Sequence, residues 1–484
     1  MTLNHSQWVA LLPILLTGGT AVFVMLAISV KRNHWWNATF CVAGLNIALL
    51  SLIWVLNVTP QVVTPLLVVD GYAVFYSALI LMTSLGTATL THAYMEGYAS
   101  EKEEIYLLLA LAALGGIVMA CSNHFASFFI GLELLSIPLF GMIAYPVRDK
   151  LALEGGVKYL VLSAAASAFL LFGMALLYAE TGTLGFPALY RKLAGMSGFT
   201  VYAHLGMALV LVGVGFKLSL VPFHLWTPDV YQASPAPVTA FLSTASKTAV
   251  FAVLLRFFVE GAGYTREAVL DILTVLAIAS ILVGNVLALQ QNNLKRMLAY
   301  SSIAHFGYLL VALVAKGPLA VEAVGVYLLT YVVTNLGAFG VVTLMSSPRT
   351  DAGDAEDIDE YRGLFWRRPF LTSIMTAMLL SLAGIPVTAG FIGKFYVLAA
   401  GVDARLWLLV GALVLGSAIG LYYYLRVMIT MFSGDRERLI HDAQLNWAQQ
   451  VGGVMVLGLM LMMLIIGIYP QPFIDLIGQA GLHR

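Results

Sequence analysis

Apolar runs of about 20 residues, the length a helix needs to cross a hydrocarbon layer, follow one another along almost the whole chain. No water reaches backbone amides in such a layer, so each run must satisfy its own hydrogen bonds, and a helix does this within one segment. The expected fold class is therefore an all-α polytopic membrane protein. Roughly fourteen spans are legible by that length criterion: about 8–30, 37–57, 71–95, 105–121, 124–146, 155–179, 202–231, 237–259, 267–290, 296–315, 321–346, 369–401, 405–432 and 448–469. Only 10% of the 484 residues are charged, against about 25% in soluble domains.

Composition excludes several function classes. A formal net charge of zero gives no footprint for a nucleic-acid partner. Cys41 and Cys121 lie in or at the end of apolar runs and form no CxxC, so neither a disulfide frame nor a zinc or iron–sulfur site is indicated. The nine histidines show no spacing suited to a haem pair. The start, MTLNHSQW, has no basic segment, and the first apolar run reads as a retained helix. No segment reads as a soluble domain. The longest polar loop, 346–368, contains DAGDAEDIDE, whose spacing does not match a calcium loop; it reads as a solvated loop that touches a neighbouring subunit.

Lys and Arg are unevenly shared between the two sets of loops. Lys31, Arg32, Lys102, Arg148, Lys150, Lys295, Arg296, Arg349, Arg362, Arg367, Arg368, Arg436 and Arg438 fall on one side. The smaller set is Arg191, Lys192, Arg256, Arg266, Lys316, Arg405 and Arg484. The richer side is expected in the cytoplasm, which places both termini in the periplasm.

The seventh and twelfth spans are interrupted in similar ways. GFKLSLVPFHLWTPDVY, from Gly215, carries Pro222 and Pro228; SLAGIPVTAGFIGKFYVL, from Ser381, carries Pro386 and Gly390. Each has one lysine near its break, Lys217 and Lys394. An odd offset between the two spans makes them run in opposite directions. The expectation is two inverted-topology repeats, helices four to eight and nine to thirteen, a recurring transporter design with the ion site at mid-membrane. The expected division is 1–104, 105–260, 261–432 and 433–484.

An ionisable group at mid-bilayer costs about 2.5–3.5 kcal/mol on insertion scales. Four groups stand near the middle of spans: Glu133, Lys217, Lys247 and Lys394. Burial drives an amine towards its neutral form, and a carboxylate beside it restores the charge. A Glu133–Lys217 pair would thus be a proton site with switchable affinity. His224, on the same face as Lys217 if the helix persists through Pro222, could relay towards Lys247. His305 and Tyr300 could extend the path to Lys394, with Tyr424 at the exit, and Glu154–Lys158 form a pair at the start of helix six. Each has a bland alternative: a structural ion pair for the lysines, a satisfied core histidine for His224 and His305, packing for the tyrosines, a solvated pair for Glu154–Lys158.

VPFHLWTPDVYQASPAPVTAFLSTASK (221–247), LKRMLAYSSIAHFGYLL (294–310) and the helix-twelve stretch together resemble the antiporter-like, proton-translocating membrane subunits of bacterial respiratory NADH–quinone oxidoreductase (complex I), most closely those of N type. The resemblance runs over nearly the whole chain. It implies that Glu133 and Lys217 are the coupling pair, Lys247 the central relay and Lys394 the exit-side site. It also implies that NADH, FMN, the iron–sulfur clusters and quinone belong to partner subunits, with no cofactor or metal in this chain. The implied setting is the bacterial inner membrane, with neighbouring antiporter-like and small membrane subunits and lipids as partners. Two other readings use the same residues: a subunit of a multi-subunit cation/proton antiporter, and a membrane scaffold without a proton path.

Overall fold

The computed structural model describes residues 3–98, 101–196, 198, 200–261, 263–346, 353–434 and 447–482. Arg349, Asp351, Arg436, Arg438 and Arg484, which entered the loop and charge readings, lie outside them. Among the described residues twelve helices are long and apolar enough to cross a membrane, and two shorter apolar helices accompany them. In chain order the bundle runs α1 (Leu12–Val30), α2 (His34–Leu56), α3 (Gly71–Met95), α4 (Glu104–Ala120), α5 (Phe125–Ile143) and α6 (Lys150–Thr181). Next comes α7, in two pieces (Val201–Leu218 and Trp226–Ala233), then α8 (Ala236–Glu260). They are followed by α9 (Glu267–Leu289), α10 (Leu294–Ala315), α11 (Gly317–Met345), a two-piece α12 (Pro369–Ala383 and Ala389–Asp403), α13 (Trp407–Phe432) and α14 (Trp447–Ile468). The sequence reading missed a short hairpin (Gln61–Thr64 with Leu67–Val69) and two short helices, Phe186–Ala194 and Gln471–Ala480. All three are too short to register against runs of spanning length.

Burial divides the helices. The most apolar windows of α8, α10 and α11 are 100% buried, whereas those of α1 and α2 are only 28% and 33% buried. The innermost helices therefore have no lipid face, and they are where polar side chains find protein partners. Lys247, His305 and Tyr331 all sit on these three.

Both interruptions are real, and their causes are local. The first piece of α7 ends where Ser219 turns left-handed (φ 62°), and Pro222 lies in the gap without an amide to donate. Pro228 does not break the chain. It stands in the first turn of the resumed helix, where a missing N–H costs nothing. The first piece of α12 ends at Gly384, also left-handed (φ 84°), with Pro386 in the gap. Gly390 lies in the resumed piece and marks a close approach: a Cβ there would overlap the Ser381 carbonyl oxygen. Gly390→Ala is expected to force the two pieces apart at a cost of about 1–3 kcal/mol or more. A lowered thermal midpoint of the assembled protein checks this; an unchanged midpoint would mean that the pieces do not rest on each other.

Candidate functional site

The lysines lie at helix irregularities. Lys217 occupies the last turn before the α7 break, and Lys394 the second turn after the α12 break. Each lies near its break, but they flank the breaks from opposite sides, so the two lysines do not occupy matching places in the two broken helices. Lys247 directly follows a single π-helical turn, Leu242–Ser246, inside α8. Such bulges re-aim side chains and recur at functional sites.

Lys217 is 5% exposed, and its Nζ donates to Ser136 Oγ and Ser163 Oγ, each at 2.7 Å. Glu133 is half-buried and accepts from Ser167 Oγ at 2.6 Å. The expected Glu133–Lys217 contact is therefore not made: Ser136 of α5 and Ser163 of α6 hold Lys217, and Ser167 of α6 holds Glu133. Ser136 lies three residues after Glu133, and Ser167 four after Ser163, so each helix presents its two polar groups on one face. Composition hides this, because serine in an apolar run looks like a small filler.

The break beside Lys217 is packed. Trp226 Nε1 donates 3.0 Å to the Phe216 carbonyl, one of those the break sets free, and its ring stacks between Tyr159 and Phe216. The helix does not persist through Pro222, so His224 and Lys217 do not share a helix face. His224 is nonetheless buried, with the Pro222 backbone beside its ring and no hydrogen bond of good geometry to either nitrogen; the Tyr231 hydroxyl likewise lies near Ser302 without a well-formed bond, and the Thr248 hydroxyl has none. Lys247 Nζ lies 5.5 Å from the Tyr231 ring centre.

Beyond Lys247 lie two hydrogen-bonded sets of polar groups, brought side by side at the rings of Tyr331 and His305. Lys247 Nζ donates to Ser302 Oγ at 2.9 Å, Tyr331 donates to the same oxygen at 2.8 Å, and Asn335 donates to the Tyr331 hydroxyl at 2.9 Å. The His305 ring lies 5.4 Å from that of Tyr331. His305 Nδ1 meets the Tyr327 hydroxyl at 2.7 Å, and Nε2 meets that of Tyr424 at 3.2 Å. Tyr424 in turn meets Ser301 at 2.5 Å. A cavity of about 10 Å³, room for one water, opens beside His305 and is walled by Tyr327, Thr330, Thr334 and Ser381. Lys394 Nζ donates 2.9 Å to the Ala383 carbonyl across the α12 break and lies 5.4 Å from the Tyr308 ring centre. Tyr300 is buried but takes no part in these contacts. Removing one hydroxyl, as in Tyr424→Phe, is expected to cost about 0.5–1.5 kcal/mol per hydrogen bond and to slow proton uptake without loss of assembly. Vesicle uptake rates compared with a native gel decide this.

At the end of the bundle where α6 begins, Lys158 pairs with Glu154 at 2.6 Å, as expected, but also with Asp229 at 3.3 Å. Asp229 meets Arg296 at 2.7 Å, and Arg296 reaches Gln232 at 3.2 Å. Asp229 and Arg296 were not singled out from sequence. Charges at helix ends are ordinary there, and only the fold shows that three helices bring theirs together. Among the described residues no group of three or more His, Cys, Asp or Glu could hold a metal ion.

A bundle with two interrupted helices and buried amines strung between them defines the class of antiporter-like membrane subunits. Residues 122–420 match the family described as NADH:quinone oxidoreductase/Mrp antiporter, transmembrane. The chain belongs to that family. It is 58% identical over 479 residues to NADH-quinone oxidoreductase subunit N of Ectopseudomonas mendocina (strain ymp), covering 98% of this chain and 96% of the relative. Among solved structures it resembles a chain of respiratory complex I from Thermus thermophilus with bound aureothin (33% identity, TM-score 0.82, 97% of this chain and 100% of that one). It also resembles a chain of the archaeal membrane-bound sulfane sulfur reductase (25% identity, TM-score 0.85, 98% and 97%). A chain of the Mrp complex from Dietzia sp. DQ12-45-1b shares the fold (20% identity, TM-score 0.85, 98% and 97%).

Proposed function

We propose that this chain is the N-type, antiporter-like subunit of a bacterial NADH–quinone oxidoreductase of the complex I kind, and that it moves protons across the inner membrane. NADH oxidation and quinone reduction, with FMN, the iron–sulfur clusters and quinone, take place in partner subunits. The observation that carries the reading is the hydrogen-bonded chain Lys247–Ser302–Tyr331 on the three fully buried helices α8, α10 and α11, with a second chain, Tyr327–His305–Tyr424–Ser301, beside it that reaches α13 through Tyr424. A purely structural role does not call for such a row of proton-exchanging groups at the bilayer centre.

In this reading the Glu154–Lys158–Asp229 end faces the cytoplasm, both termini face the periplasm, and protons reach Lys217 from the cytoplasmic side. Charge movement at Glu133, relayed through the serines, changes how firmly Lys217 holds its proton. Water bridging His224, Tyr231 and Thr248 links Lys217 to Lys247, and Lys394 passes the proton out. Helices four to eight and nine to thirteen act as inverted repeats, within the units 1–104, 105–260, 261–432 and 433–484. Packing supports this: α4 lies on α5 as α9 lies on α10, and α6 rests on a piece of the broken α7 as α11 rests on a piece of the broken α12. The test is the pair of rates, electron transfer and proton uptake, in vesicles carrying Lys217→Ala. Uptake that follows sodium instead of protons would favour the antiporter reading.

A further inference from the structure

Two ion pairs lie deep in the bundle outside the lysine chain, at opposite ends of α8 and its neighbours. One is Arg256 with Asp70; the other is Lys295 with Asp354. The chemistry of the cation separates them. An arginine stays charged and serves as an anchor, whereas a buried lysine can release a proton.

Lys295, in the first turn of α10, is 1% exposed and Asp354 5% exposed, with Nζ to Oδ2 at 2.6 Å. Lys295 also donates 2.6 Å to the Ser234 carbonyl, at the end of the second piece of α7. The other Asp354 oxygen accepts from Tyr94 of α3 at 2.7 Å. Asp354 comes from the acidic loop, whose described residues are partly tied to the bundle while Asp357 and Asp359 stay exposed: the Leu294 amide donates to the Glu356 carbonyl at 2.6 Å, the Ile358 amide to the Asn292 carbonyl at 2.9 Å, and Gln232 to the Glu356 side chain at 3.2 Å. Further titratable groups near the pair are Arg296 and Asp229, which meet each other beside Gln232, and Glu356, Glu360 and the neutral Tyr361 of the loop. Lys295 and Ser302, the acceptor of Lys247, stand seven residues apart, on one face of α10.

We infer that Lys295 and Asp354 form a second carboxylate–lysine proton site, which loads the Lys247–Ser302 stretch from the same end as Glu154–Lys158. A proton arriving on an Asp354 oxygen turns it into a hydroxyl and removes the charge that holds the ammonium; Lys295 then passes one N–H proton inward and regains one from Asp354. This inference rests on the proton-translocating reading above.

The test uses the assembled enzyme in membrane vesicles, with electron transfer and proton uptake followed together across pH. Variants are Asp354→Asn, Asp354→Glu and Lys295→Arg, with Lys217→Ala alongside. Asp354→Asn and Lys295→Arg are expected to assemble, to lose proton uptake per electron and to shift its pH profile, while Asp354→Glu keeps both. Lys295→Arg is decisive, because it preserves the ion pair and removes only the exchangeable proton. Normal uptake in Lys295→Arg, a defect in Asp354→Glu equal to that in Asp354→Asn, or failure of both pair variants to assemble would make the pair an anchor and overturn the inference. Normal uptake in Lys217→Ala would instead overturn the reading beneath it.

Discussion

Lys217→Ala is expected to abolish proton uptake and to take NADH–quinone electron transfer down with it, while the complex assembles normally. The amine is held by two serine hydroxyls and faces the Tyr159 ring at 5.8 Å. Neither serine can replace it as a proton carrier at physiological pH. Deleting a positioned acid–base group typically costs 10²- to 10⁴-fold in rate, so a loss of about 10²-fold is the conservative expectation. Its direct partners are neutral serines, and Glu133 keeps its own contact with Ser167, so removing the lysine breaks no ion pair and folding should survive. A native gel together with the two rates decides the matter. Full electron transfer with full uptake would show that the buried amine only packs the end of α7.

Arg256→Ala should fail differently, through folding. Its guanidinium is 1% exposed, donates to both oxygens of Asp70 at 2.7 and 2.8 Å, and reaches Glu260 at 3.3 Å. It joins α8 to the residue that caps α3. Burial by itself raises the Asp70 carboxyl, but Arg256 and the backbone amides around it bring it below its ordinary value. Truncating one partner of a buried pair leaves the other charge stranded, at about 3–5 kcal/mol. The expected result is loss of the assembled subunit from the native gel. A variant that assembles with an unchanged thermal midpoint would show that this pair carries no stability. A lowered carboxyl stabilises the fold above its unfolded value, near about 3.9, and that contribution is lost as pH falls through the folded value. The same anchor should therefore loosen in acid, which a thermal midpoint measured against pH would reveal.

Asp354 shows how far sequence reading reaches. Six acids in ten residues looked like a solvated loop, since acids in a loop usually are. In the fold one of them is among the most buried carboxylates, because Lys295 and Tyr94 meet it from two other helices. Glu133 shows the converse. It was picked out correctly as an ionisable group inside a span, yet assigned a direct lysine partner, when its contact is Ser167. A carboxylate in an apolar run is conspicuous, and a serine is not.

The chain by itself determined what depends on neighbours along the sequence. Runs of spanning length place the helices, Pro222 and Pro386 interrupt two of them, and four ionisable groups stand out because burying them is costly. Which group meets which was decided only in three dimensions. Lys295 and Asp354 are 59 positions apart, and Arg256 and Asp70 are 186 apart. Nothing along the chain encodes such distances: the pairs exist because α3, α8, α10 and the acidic loop pack side by side, and a charge without lipid or water around it must find its partner there.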